Sequence, residues 1–183
     1  MANSAPAQSG PNPTGQEFSI TRLLDAPREL VWQAWSEKDQ LEKWWGPKGF
    51  DVGVKKLDFR PQGVFHYSMD APNGAKMWGR FVYQDIVAPE RIVWLNSFSD
   101  SDGNVTRAPY PGMDVWPLEV TNTVSMTQEG SKTQLTLRAY PHNASVEERL
   151  FFEGFLASLA QGFGGTLDQL EAHLHQHQPM RSS

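Results

Sequence analysis

The 183-residue chain contains no cysteine. A disulfide framework, a thiolate nucleophile and a cysteine-ligated metal are therefore excluded, and the composition fits a reducing cytosol. Charge of one sign is never concentrated. Sixteen Lys and Arg stand against twenty-one Asp and Glu, the formal net charge is −5, and the longest basic run is Lys55-Lys56. Nucleic acid is not an expected partner, because phosphate binding needs a clustered basic footprint. No apolar run approaches the ~20 residues of a membrane-spanning helix. Residues 1–16, MANSAPAQSGPNPTGQ, hold no charged side chain, so neither a signal peptide nor an anchor is expected there. Residues 1–15 read as a disordered tail, 16–175 as one domain and 176–183 as a C-terminal tail. Motifs of catalysis are missing too: there is no GxSxG elbow and no HExxH.

What the chain does have is an apolar stripe near its end. From Val146 to about Leu174, Phe152, Leu156, Leu159, Phe163, Leu167, Leu170 and Leu174 recur at intervals of three and four, the pattern of one buried helix face. Such a helix is roughly 40 Å long, enough to cross a sheet. Nearly all that precedes it reads as strand. Glu17 to Leu24 alternates, with Phe18, Ile20 and Arg22 in one phase. Pro27 suits a helix N-terminus and predicts a short helix to Trp35. Ser36 with Asp39 resembles a capping box and predicts a second, ended by Gly46-Pro47. The phase of Phe50, Val52 and Val54 is opposite to that of Leu57 and Phe59, which predicts a β-bulge near Lys55 and Lys56. Strands follow at Phe65–Met69, Lys76–Val87 and Arg91–Phe98, with a Pro72-Asn73-Gly74 turn. Residues 100–118, carrying prolines 109, 111 and 117 and glycines 103 and 112, read as a long loop. A hairpin through Glu129-Gly130 precedes the stripe. The expected class is α+β: a curved antiparallel sheet of about six to seven strands wrapped around a long C-terminal helix, with two short helices after the first strand.

Three blocks carry a resemblance: DAPRELVWQAWSEKDQLEKWWGP, WGRFVYQDIVAPERIVWLNSFSDSDGN and EERLFFEGFLASLAQGFGGTLDQLEAHL. In that order they resemble bacterial homologues of the C-terminal domain of the activator of heat-shock protein 90 ATPase, within the START-like, helix-grip superfamily. The resemblance implies a sheet gripping the last helix, with a hydrophobic cavity between them. Fold alone does not choose a function within that superfamily, and the resemblance carries over no catalytic residue.

A concave sheet and a straight helix cannot touch along their whole length, so the space between them is filled by side chains or left for a ligand. The candidate ligand-binding residues are Trp44, Tyr67, Met69, Phe81, Trp94, Asn96, Trp116, Asn122, Phe152, Leu156, Leu159 and Phe163. Asn96 is in phase with Trp94 and Phe98, and Asn122 sits between Val120 and Val124. Both amides should point inward and need partners there, either backbone or ligand. Gly162, Gly164 and Gly165 interrupt the helix at a cost of about 1 kcal/mol each; close backbone approach is the preferred explanation, a kink over the pocket the alternative. His173 and His177 could chelate a metal only with a third ligand, so neither metal nor cofactor is expected. His66 falls in a polar phase and reads as a surface residue. Asp70, Asp85, Asp114 or Glu119 could serve as a general base only if folding brings one to the cavity. The favoured reading is a noncatalytic, cytoplasmic protein that binds a small apolar or amphipathic molecule, with the 100–118 loop and the short helices at the mouth. A chaperone accessory of the heat-shock protein 90 class and a cyclase- or hydrolase-like enzyme are the alternatives, and a homodimer stays open.

Overall fold

The computed structural model describes residues 16–176; the expected tails at 1–15 and 177–183, and His177 with them, lie outside the described residues. Strand β1 (Phe18–Leu24) leads into helices α1 (Arg28–Ser36) and α2 (Lys38–Trp44). Strands β2 (Asp51–Leu57), β3 (Val64–Asp70), β4 (Lys76–Val87) and β5 (Arg91–Ser99) follow. A two-residue strand, β6 (Val105–Thr106), lies inside the long loop, β7 (Glu119–Glu129) and β8 (Lys132–His142) form the hairpin, and α3 (Val146–Gly154) and α4 (Leu156–Gln176) end the described chain. All the strands pair antiparallel in one sheet of order β1-β8-β7-β5-β4-β3-β2. β7 pairs with Arg91–Asn96 of β5 and β6 with Phe98–Ser99, so the loop leaves the sheet between these two partners of a single strand.

The expected bulge is present: the β2–β3 register shifts between Val54 and Lys56. Gly46 ends α2 at φ +99°, and an added Cβ there would lie 3.2 Å from both Met69 and Val52, so glycine is required by conformation and by space. Arg22 does share the inward phase of β1, at the sheet edge, where its guanidinium meets Asp168 at 2.7 Å and Glu171 at 3.4 Å on α4.

Several expectations change. The capping box at Ser36 does not form: its hydroxyl donates to Trp32 O at 2.8 Å, and Glu37 takes the N-cap position of α2. A complete capping box occurs instead at Ser145 and Glu148, opening α3. The single long helix is two. Phe155, at φ −101° and ψ 1°, separates α3 from α4, just after Gly154, whose lack of a side chain makes helical continuity costly. α4 then runs unbroken through Gly162, Gly164 and Gly165, and an added Cβ on any of them would meet nothing within 4 Å. Close backbone approach at those glycines does not account for them. His66 is not at the surface. It is 5% exposed, its ring lies 5.0 Å from that of Trp78, and its Nε2 is 3.1 Å from Asp100 O. The first residues of the long loop cover this face, which the alternation of β3 alone did not reveal.

The stripe on the last helices is buried unevenly. Phe152, Leu167, Leu170 and Leu174 are in the core, whereas Leu156, Leu159 and Phe163 are only partly buried. α4 packs on β1, α1 and α2, and its buried residues all lie between Thr166 and Leu174. Its first half stands off the sheet. Leu170→Ala should therefore destabilise the fold by about 2–5 kcal/mol and Leu159→Ala by less than about 1.5 kcal/mol, since only the first leaves a new void in packed core. Equal shifts in a urea titration would contradict the uneven closure.

Candidate functional site

A cavity of about 590 Å³ lies under the first half of α4. Its floor comes from the sheet. Tyr67, Gly79 and Phe98 are neighbours across β3, β4 and β5, and Asn96, Val120, Asn122 and Ala139 continue the wall across β5, β7 and β8. Its roof is Phe152, Phe155, Leu159, Gly162 and Phe163. At one side Phe163 stacks on Phe18 of β1 at 5.4 Å. At another, Trp116 from the long loop packs 5.5 Å from both Phe152 and Phe155. Tyr110, Met113 and Pro47 complete the rim.

Local chemistry explains why these groups sit where they do. Trp116 is anchored by Arg107, which donates to Trp116 O at 3.3 Å and to Glu148 of α3 at 3.1 Å. Trp45 is held by the chain turn at Gly46, whose carbonyl accepts from Thr166 Oγ1 at 3.4 Å and from Gln169 Nε2 on α4. The Tyr67 ring lies across Gly79: a Cβ on that glycine would come within 2.5 Å of the hydroxyl. A side chain at position 79 would thus displace the tyrosine from the floor.

Of the twelve candidate residues, the structure brings eight to the cavity wall: Tyr67, Met69, Asn96, Trp116, Asn122, Phe152, Leu159 and Phe163. The other four do not reach it. Trp44 is fully buried and donates to Ala34 O at 2.8 Å. Phe81 and Trp94 stack on each other at 4.7 Å beside the cavity, on the same face of the sheet, under Trp35 and Trp45, and Leu156 packs partly buried against the core. The twelve candidates do not include Trp45, Met77, Phe98, Tyr110, Met113 or Phe155, which also line the wall. Phe98 shares the phase of Asn96 and was accessible to the same argument; Trp45, Tyr110, Met113 and Phe155 lie outside regular elements, where periodicity carries no information.

The inward amides both find backbone partners. Asn96 Nδ2 donates to Arg80 O and Asn122 Nδ2 to Val120 O, each at 3.2 Å. Among the described residues the wall contains no carboxylate, imidazole, guanidinium or ammonium, and its titratable groups are Tyr67 and Tyr110. The carboxylates considered as bases lie elsewhere: Asp85 pairs with Arg91 at 2.8 Å, Asp70 with Lys76 at 3.5 Å, and neither Asp114 nor Glu119 lines the cavity. No cluster of His, Asp or Glu among the described residues could hold a metal ion; His173 instead meets Gln40 Oε1 at 3.2 Å. Burial pushes the Tyr67 phenol up to about 12, opposed by the Trp45 indole and the Asn96 amide beside it. Tyr83, further along the same face of β4, is raised by burial and then by the neighbouring Tyr67.

An open antiparallel sheet laid against a long C-terminal helix, with a cavity between them, defines the helix-grip, START-like class. The chain belongs to the family described as Activator of Hsp90 ATPase homolog 1-like protein, whose model matches residues 25–175. It is similar to a Mycobacterium smegmatis protein of known crystal structure, at 26% identity over 86% of this chain and 90% of that one, with a TM-score of 0.67. An Arthrobacter aurescens protein solved by NMR is 26% identical over 90% of this chain and 87% of that one, with a TM-score of 0.72. An AHSA1 protein from Silicibacter pomeroyi shares the fold at 18% identity, covering 89% of this chain and 100% of that one, with a TM-score of 0.68. No curated protein matches the chain. No helix among the described residues is long and apolar enough to cross a membrane.

The raised Tyr67 value makes stability depend on pH with a definite sign. The phenol ionises near 10 when unfolded and near 12 when folded, so between these values the unfolded chain binds fewer protons and unfolding becomes easier as pH rises. The loss should total on the order of 2–3 kcal/mol by pH 12. Tyr67→Phe should flatten that part of the stability curve, measured by denaturant titration at a series of alkaline pH values.

Proposed function

We propose that the chain is a noncatalytic binding protein, acting in the cytosol, that takes one small apolar or amphipathic molecule into the cavity between sheet and α4. The supporting observation is the apolar stripe itself, which continues through Leu159 and Phe163 over a space that no protein side chain fills. Apolar surface left facing a cavity gains its stabilisation when another molecule covers it. The Asn96 and Asn122 amides, already tied to backbone, form fixed polar points in an otherwise apolar wall. The absence of a carboxylate or imidazole from that wall among the described residues favours binding over acid–base turnover. Gly162 offers a clean test, because it lines the cavity and an added Cβ there would meet nothing within 4 Å. Gly162→Leu should keep or raise stability by up to about 1 kcal/mol through helix propensity. It should also abolish the tryptophan-fluorescence response of the unaltered chain to sterols, fatty acids or aromatic polyketides. Flat titrations of the unaltered chain with all three classes would refute the reading.

A second reading, accessory to the ATPase of a heat-shock protein 90 class chaperone, is favoured by the family's own description. It predicts that the chain raises the ATPase rate of a bacterial chaperone of that class, and that Gly162→Leu leaves the effect intact. An unchanged rate at saturating protein would remove it.

A further inference from the structure

The ligand's chemistry is inscribed on the cavity floor, granted the binding reading above. Asn96 and Asn122 have each committed an amide hydrogen to a backbone carbonyl. Tyr67 has not: no hydrogen bond donated by its hydroxyl is present among the described residues, although the side chain is only 3% exposed and lines the cavity. Two polar side chains stand beside it. One is the Asn96 amide; the other is the Trp45 indole N–H, which is buried and without a hydrogen-bond partner. An indole N–H can only donate. Position 79 carries no side chain, so the hydroxyl is not covered from the neighbouring strand.

We propose that the Tyr67 hydroxyl, backed by Trp45 and Asn96, is the donor that receives the ligand, and that the ligand is an uncharged apolar molecule bearing a carbonyl oxygen. A carbonyl accepts without bringing a donor that needs a partner of its own. A carboxylate is disfavoured, because no cationic side chain lines the wall among the described residues to compensate its desolvation. The burial that keeps the phenol protonated across the physiological range keeps it a donor.

The test uses three naphthalenes of nearly one shape: 2-acetylnaphthalene, 2-ethylnaphthalene and 2-naphthoate. Each is titrated calorimetrically against the full chain and against Tyr67→Phe, with the melting temperature of both proteins as the folding control. The ketone should bind the unaltered chain about tenfold tighter than either the ethyl compound or the carboxylate. In Tyr67→Phe the ketone-to-ethyl ratio should fall to near one while ethylnaphthalene binding holds, a selectivity readout that a general loss of stability would not move. Equal binding of ketone and ethyl compound, or a ratio unchanged in Tyr67→Phe, overturns the donor assignment while leaving the cavity reading standing. Tightest binding by naphthoate overturns the uncharged class. Failure of all three compounds to bind overturns both the cavity reading and this inference.

Discussion

The structure depends on a helix that closes at one end only. Leu167, Leu170 and Leu174 seat the second half of α4 in the core, and Thr166 and Gln169 fix that half to the Gly46 carbonyl. These contacts set the angle at which α4 leaves the sheet. Phe155 lets the chain change direction between α3 and α4, so the preceding helix can pack with the loop through Trp116 rather than follow the axis of α4. What remains between the two anchored ends is the cavity.

Small residues and large ones divide the labour around it. Gly79 has no side chain, so Tyr67 can lie flat over its own strand neighbour. Phe81 and Trp94, stacked beside it on the same face, flank the Tyr67 ring, Phe81 edge-on at 5.7 Å. Trp45 meets both Tyr67 and Phe81 edge-on, at 6.2 and 5.3 Å, geometries that aromatic quadrupoles favour. The same aromatic layer leaves indole N–H groups of Trp35, Trp45 and Trp94 buried without partners. Buried donors of this kind cost stability wherever they occur, and Trp45 is the one of the three on the cavity wall.

Much of this was legible in the chain because it rests on period. The stripe, the hairpin and the phase reversal repaired by the bulge are all patterns of i, i+2 or i, i+3 and i+4, and they led to the sheet, the last helix and the inward set. Period gives direction but not depth. Trp94 and Asn96 share a phase, yet Trp94 is covered by Trp35 while Asn96 stays on the cavity wall, because the helices decide which positions are overlaid. His66 shows the same limit on the opposite face, where a loop with no period of its own makes a polar-phase residue a buried one. Ser36 and Ser145 each stand three residues before an acidic side chain. Only Ser145 is followed by a glutamate long enough to reach back to the cap amide; the side chain of Asp39 is one methylene shorter, and Glu37 intervenes as the cap.

The size of the cavity is itself an argument about its contents. A dry void of about 590 Å³ would cost roughly 14 kcal/mol at about 24 cal/mol per Å³, comparable to the whole net stability of a typical domain. The space is therefore not a packing defect tolerated by a fold that happens to survive it. It opens to solvent, so water can enter when nothing else is bound. Water against Met69, Trp116, Phe152, Leu159 and Phe163 finds few partners, whereas water near Tyr67, Asn96 and Asn122 finds several. An entering apolar body releases the first kind at little loss. The second kind must be replaced group for group, so affinity is set by the apolar wall and selection by its few polar atoms.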